Sequence, residues 1–307
     1  MTVWRIKLNS GRDEEDGGVV DWDEAKAHCR SAGVVGVGWG LSKLKHHSRL
    51  DRVLDAWGKR PEGLAGVNTI ARLANDVADA DLMWTRDSLG RYWLCQITGS
   101  WRYDKSPESV RLDLYNVRPA RWLESPFRDY EVPGAVVRSF TGVGQTLRRI
   151  GDHPEAIRVT EMLWAKETDP HVLIEPMTAA QAMADILDPI DVEDVVLLYM
   201  QHQGWLLLAS SRMHDTPMYE AALKQPGSGH MAVVSVKSGS SNPVPVVELA
   251  EASGPAQAFA YSTHELYTER PDKHGVIKIK TADLVGFMES HPELLPPRIA
   301  RWLLPPA

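Results

Sequence analysis

The chain has 307 residues, 43% hydrophobic and 24% charged, with a formal net charge of −7. That size suits two globular domains, and no run approaches the roughly 20 consecutive apolar residues of a membrane span. The opening MTVWRIKLNSG lacks the charge-then-apolar order of a secretory signal. Two distant cysteines, Cys29 and Cys95, supply neither a disulfide framework nor a zinc set, so a reducing cytoplasm is the expected compartment.

In chain order, Val3 to Leu8 alternates and predicts a strand. Ser10 to Gly18 is a polar, acidic loop, and Asp21 to Ala32 has helical spacing with Asp21 as its cap. The stretch Gly33 to Gly40, GVVGVGWG, is apolar and glycine-rich. It lacks the strand, G-x-G-x-x-G and helix order of a dinucleotide loop. It reads instead as a strand whose glycines admit something close to the backbone. Leu44 to Trp57 and Gly66 to Asp79 predict helices, the second with an apolar stripe of Ile70, Leu73, Ala74 and Val77. Asp81 to Thr85 and Tyr92 to Ile97 form a hairpin over Asp87-Ser88-Leu89-Gly90, and Leu112 to Val117 and Val136 to Phe140 supply further strands. Short strands separated by turn signals predict a small barrel.

Net negative charge disfavours long runs of phosphate contact, so the distribution of cations decides whether nucleic acid is a partner. One basic cluster runs through Lys43, Lys45, Arg49 and Arg52, which are candidates for a DNA backbone. A solvated helix face accounts for it equally well.

The second half begins with the helix-like IRVTEMLWAK and a junction near 155. Val192, Val195, Val196, Tyr199 and Met200 fall at three- and four-residue spacing on a helix that carries Glu193, and Gly204 stops it. The apolar run Trp205 to Ala209 suits a buried strand. Tyr219 to Gln225 and His230 to Lys237 flank the turn Pro226-Gly227-Ser228-Gly229. Folded about Ser228, the hairpin brings Glu220 near Val236. A register shifted by one residue sets Glu220 beside Ser235 or Lys237, which share a face. A carboxylate, a hydroxyl and an ammonium then meet at one hairpin end, and carboxylate oxygen holds hard divalent cations. Asp215 is the rival for the role of Glu220. Pro245 to Ala252 predicts a short helix after the hairpin, and further strands follow at Gln257 to Ser262 and Val276 to Ile279.

Two resemblances rest on these residues. The strand VWRIKL, the helix ending ANDVADADLMWTRD and the strand RYWLCQITGSWRYD resemble the PUA-like superfamily, especially EVE and YTH domains, with Ala80-Asp81 in place of the family's Gly-Asp. The resemblance implies a base pocket drawn from Trp39, Trp101 and Tyr103, with Asn68 on a base edge. Glu193, Glu220 and Ser235-Val236-Lys237 stand in the order of the PD-(D/E)xK nuclease superfamily: an acid on the first helix, an acid on the second strand and (D/E/Q)-x-K on the third. Ser235 departs from that pattern. Members with S-x-K take the missing carboxylate from the following helix, where Glu248 and Glu251 lie.

The implied fold is α+β with two domains: residues 1–155 as a PUA-like β-barrel with helices, and residues 156–307 as an α/β PD-(D/E)xK nuclease fold. The implied activity is Mg²⁺-dependent hydrolysis of double-stranded DNA near a modified base by a homodimer. Glu193, Glu220, Ser235, Lys237 and Glu251 would be catalytic, with Glu220, Glu251 and Asp215 as metal ligands. The alternative expectation is a catalytically inactive DNA- or RNA-binding sensor of modified bases.

Overall fold

Strand-period residues of the first half pair into a seven-stranded mixed sheet, curled into a half barrel, and those of the second half into a separate five-stranded sheet. The structure is a computed structural model that describes residues 1–8, 20–41, 43–59, 63–141, 145–151, 153–169, 171–172, 175–213, 218–238 and 241–303, apart from the side chains of Gly63, Leu64 and Met213. The chain divides into two compact units, Met1–Val132 with Val136–Leu173, and Pro133–Ala135 with Ile174–Ala307.

In the first unit the elements are β1 (Val3–Ile6), α1 (Trp22–Ser31), β2 (Val34–Val37), α2 (Leu50–Gly58), α3 (Gly63–Ala71), β3 (Leu82–Arg86), β4 (Tyr92–Ile97), β5 (Arg102–Tyr103), α4 (Pro107–Arg111), β6 (Asn116–Trp122), α5 (Gly134–Ser139), β7 (Leu147–Arg149) and α6 (Pro154–Thr168). The first residues of α5 belong to the second unit. The sheet order is β2-β6-β4-β3-β1-β7, with β5 also paired to β6. β1 runs parallel to β3, with Val3 opposite Leu82, and the other pairings are antiparallel. Asp21 caps α1 as its side chain accepts from the Asp23 and Glu24 amides.

Two sequence expectations change here. Val136 to Phe140 is not a strand. It falls in and just after α5, because a short apolar run fits either period and the chain turns helical directly after Pro133. The helix expected from Leu44 starts at Leu50, after a turn in which His47 adopts φ 58. The close approach expected at the glycine-rich stretch is real, and the chain itself makes it. A Cβ on Gly38 would lie 2.2 Å from Asp113 Oδ2, and one on Gly40 would lie 2.0 Å from Tyr115 Cε2.

One buried acid ties this unit together. Asp81, 4% exposed, accepts from the Thr2 amide at 2.7 Å, the Trp4 indole at 2.9 Å and the Ala78 amide at 3.0 Å. It thus joins the start of β1 to the turn before β3. Ala80, beside it, sits at φ 70, where a Cβ is unfavourable. Arg118, on β6, works similarly. It is 4% exposed and donates to the carbonyls of Gly99, Leu73 and Val77 and to Asp79.

In the second unit the elements are α7 (Ala179–Asp185), α8 (Pro189–His202), β8 (Leu206–Leu207), β9 (Ala221–Lys224), β10 (Met231–Lys237), α9 (Val246–Ser253), β11 (Gln257–Ser262), β12 (Ile277–Lys278), α10 (Thr281–Ser290) and α11 (Pro297–Ala300). The sheet order is β12-β11-β10-β9-β8. β8, β9 and β10 are antiparallel neighbours, while β11 and β12 continue parallel to β10. The parallel step from β10 to β11 is made by a crossover containing α9, as parallel strands require. Trp205 to Ala209 is not a buried strand: two residues pair at the sheet edge and Leu206 is 57% exposed. Among the described residues no helix is long and apolar enough to cross a membrane.

Asp81→Ala would leave three donors without their acceptor. At about 1 kcal/mol for each lost bond, the urea midpoint of the transition that melts the first unit should fall by the equivalent of about 3 kcal/mol. Ala80→Gly should leave that midpoint unchanged or raise it, since relief of about 1–2 kcal/mol at positive φ outweighs about 0.4–1 kcal/mol of added unfolded-state freedom.

Candidate functional site

The hairpin of β9 and β10 pairs Ala221 with Val234 and Lys224 with Met231. Continued by one step, this register sets Glu220 across from Ser235, which is the shifted register considered from sequence. The Glu220 amide donates to Val234 O at 2.9 Å. Its Oε1 lies 2.7 Å from Lys237 Nζ, and its Oε2 accepts from the Val236 amide at 2.5 Å. Both partners of the ion pair are largely buried, with 16% of the Glu220 and 14% of the Lys237 side chain exposed. Ser235 is fully buried, and its Oγ has no partner among the described residues. The structure therefore brings together the carboxylate, hydroxyl and ammonium that the sequence placed at this hairpin end.

Glu193 lies on α8, whose first turn is capped by Asp188 as it accepts from the Ile190 and Asp191 amides. Arg212 sits 3.7 Å from Glu193 and 3.3 Å from Asp194. Arg298 donates through Nε to Asp191 at 2.6 Å and through Nη2 to Asp194. Sequence reasoning missed this network. Asp191 and Asp194 show their shared helix face by spacing, but Arg298 is more than a hundred residues away and nothing local announces it. Burial, and then the charge of Asp188, push the Asp191 carboxyl up to about 7 despite Arg298.

Glu248 and Glu251 are exposed on α9. Asp215 lies outside the described residues. Among the described residues no three His, Cys, Asp or Glu side chains group as a metal cage. Glu220 and the unpartnered Ser235 Oγ do suit Mg²⁺, which keeps several waters and binds through one or two carboxylates plus substrate phosphate.

The residues expected to form a base pocket are spread through the first unit. Trp39 adopts φ 64 and lies on α3 where Gly66 leaves room, since a Cβ there would sit 3.0 Å from the indole. Its carbonyl accepts from the Trp57 indole at 2.7 Å. Trp101 is half-buried, with its indole N–H buried and without a partner among the described residues. Tyr103 is fully buried, stacked on Tyr115, and its hydroxyl accepts from the Leu41 amide at 2.9 Å, the position of a core side chain. Asn68 is exposed on α3. Asn116 was not foreseen: it is fully buried, donates to Gly38 O at 2.6 Å, and leaves its own Oδ1 unpaired among the described residues. Register aligns Val37, Asn116 and Tyr103 in one row. Trp39 leaves that row in one strand direction and Trp101 in the other. Lys43, Lys45, Arg49 and Arg52 are all exposed, with Arg49 paired to Asp51 at 3.1 Å.

No protein-family model matches the chain, and no curated protein matches it. Among solved structures, the X-ray crystal structure of an Agrobacterium tumefaciens protein is similar at 13% identity, over 53% of this chain and 92% of that one, with a TM-score of 0.25. At that score the likeness carries no argument about fold or activity.

A double-mutant cycle on Glu220→Gln and Lys237→Met should return a coupling of about 1.5–3 kcal/mol, the range for hydrogen bonds to charged groups. A value near zero would show that the pair is not formed in solution. Because the folded Asp191 carboxyl titrates above its unfolded value, its contribution is fully present below about pH 4 and is lost as pH rises through about 7. Asp191→Asn should flatten that part of the pH–stability curve, measured by urea midpoints from pH 4 to 8.

Proposed function

We propose that the chain is a Mg²⁺-dependent endonuclease that hydrolyses DNA near a modified base. The observation that carries this reading is the Glu220–Lys237 pair, 2.7 Å apart at the end of a hairpin that follows an acid-bearing helix. Helix α8, the strand run β8, β9 and β10, and then helix α9 follow the order of the PD-(D/E)xK resemblance. Glu220 stands at the second-strand acid, and Lys237 stands at the lysine of the third.

Glu220 and Ser235 are the residues that would hold the ion. Bound Mg²⁺ would neutralise phosphate charge and make its water more acidic. Lys237, fixed by Glu220, presents an ammonium that orients the attacking water and stabilises the negative charge developing on the phosphoryl oxygens. The Val236 amide holds the second carboxylate oxygen, which limits how far Glu220 swings. The ion pair, the amide and the buried serine together preset the group before substrate arrives.

Base reading is assigned to the first unit through the PUA-like resemblance. The buried indole N–H of Trp101 supports it, because an unpaired buried donor is costly unless a ligand completes it. Stacking on exposed aromatic faces contributes about 1–3 kcal/mol per base. Cutting both strands of a duplex calls for two nuclease sites, and the reading therefore includes a homodimer.

A second reading, a sensor that binds without cutting, is favoured by Ser235 standing where the resemblance has a carboxylate. One assay separates the two. Phage DNAs with different modified bases are incubated with protein in Mg²⁺ or EDTA. The nuclease reading expects cleavage of a modified DNA in Mg²⁺, none in EDTA, and a rate lower by about 100-fold or more in folded Lys237→Ala. Tight modified-DNA binding without cutting supports the sensor. Undiminished cutting by Lys237→Ala sinks the proposed site.

A further inference from the structure

Two buried polar atoms of the first unit lack partners among the described residues and are opposite in kind. Asn116, fully buried on β6, leaves its Oδ1 as an acceptor with no donor. Trp101, half-buried just before β5, leaves its buried indole N–H as a donor with no acceptor. Unpaired groups shut away from water are costly, and each calls for a physical reason.

Strand pairing gathers them on one face. Val37 of β2 and Tyr103 of β5 lie on either side of Asn116. Trp101, two residues before Tyr103, falls on the same face by alternation. The Asn116 amide nitrogen donates to Gly38 O at 2.6 Å, which ties it to the residue before Trp39 and leaves Oδ1 as the unengaged end. Trp39 is half-buried, sits at φ 64 and lies against Gly66 of α3. Trp39 and Trp101 pack on the same core cluster as Val37 and Tyr103.

The other donors of this region are spent. The Trp57 indole donates to Trp39 O at 2.7 Å, and the Tyr103 hydroxyl donates to Leu41 O at 3.4 Å. Arg118, next along β6 on this face, is committed to the carbonyls of Gly99, Leu73 and Val77 and to Asp79. A ligand that brings a donor to Asn116 and an acceptor to Trp101 satisfies both atoms at once. The hydrogen-bonding edge of a nucleobase sets an N–H beside a ring nitrogen or carbonyl, and its flat face stacks on indole.

We propose that Asn116 and Trp101 read the edge of a nucleobase stacked on Trp39. Asn116 Oδ1 accepts from an amino or ring N–H of the base, and Trp101 Nε1 donates to the ring nitrogen or carbonyl next to it. This rests on the base reading assigned to the first unit and adds the residue that selects, Asn116. Tyr103 takes no part, because its hydroxyl is held by Leu41.

Calorimetric titration of the full chain with deoxyadenosine, deoxycytidine, deoxyguanosine, thymidine, N6-methyldeoxyadenosine and 5-hydroxymethyldeoxycytidine tests it. At least one nucleoside should bind saturably, and Trp39→Ala should lose that binding. Asn116→Leu removes the acceptor at similar size, and Trp101→Phe removes the N–H while keeping a ring. Each should weaken the bound nucleoside by about tenfold or more, with partial recovery in Asn116→Asp. Near-UV circular dichroism checks that each variant is folded, and Trp101→Phe carries the test alone if the Asn116 variants do not fold. No saturable binding of any nucleoside overturns both the proposal and the base reading. Binding lost in Trp39→Ala but unchanged in folded Asn116→Leu and Trp101→Phe overturns the proposal and leaves the base reading standing. A lowered urea midpoint in Trp101→Phe with wild-type binding shows a purely structural part for that indole and equally overturns it.

Discussion

The carboxylate of Glu220 is held from two sides, by the Val236 amide and by the Lys237 ammonium. That double hold is the constraint on which the chemistry proposed for the second unit depends. It exists because the turn at Pro226 to Gly229 fixes one register and strand alternation then points Ser235 and Lys237 the same way. Slipping the register by one residue would send Lys237 to the opposite face. Ser235 adds a buried hydroxyl that has no partner among the described residues, a position that apolar packing alone would not select.

Burial of polar groups organises the first unit in another way. Asp81 and Arg118 each collect several backbone or indole partners from segments far apart in sequence. These bonds hold the sheet in its curl, while Gly38 and Gly40 let Asp113 and Tyr115 press against the backbone after β2. Such sites lose stability sharply when one partner is removed, because the others are left buried and unpaired. Asn116 and Trp101 are among the exceptions, with buried polar atoms that nothing among the described residues satisfies.

Local features carried the legible part of the sequence. The helix over Asp191 to His202 was written in apolar spacing, and the hairpin in a Pro-Gly-Ser-Gly turn between alternating strands. The Glu220–Lys237 meeting followed from that turn plus alternation only in the register shifted by one residue, which is the one the structure adopts. What failed was ambiguous or distant. The apolar residues after Pro133 fit a strand or a helix, and tertiary contacts chose the helix; the Ala135 amide there donates to Asp188 at 2.8 Å. The run after Gly204 read as buried from composition, yet an edge position left Leu206 exposed. Arg298 reaching Asp191 and Asp194 is set by three-dimensional packing, and a pattern of a few residues holds no record of it. Tyr103 entered the expected pocket through the PUA-like resemblance alone, and the structure buries it against Tyr115.

A charged pair is preset on a hairpin of the second unit. The central claim concerns that pair: Glu220 is the carboxylate to which a divalent ion and a DNA phosphate come. The direct measurement is anomalous scattering from Mn²⁺ in crystals of the protein with a non-cleavable modified duplex. The account predicts a peak within ligating distance of a Glu220 carboxylate oxygen, about 2.1 Å for an ion of the Mg²⁺ class, with Lys237 beside the same phosphate. A DNA complex with its peak at other side chains, and Glu220 still closed on Lys237 and Val236, would contradict it.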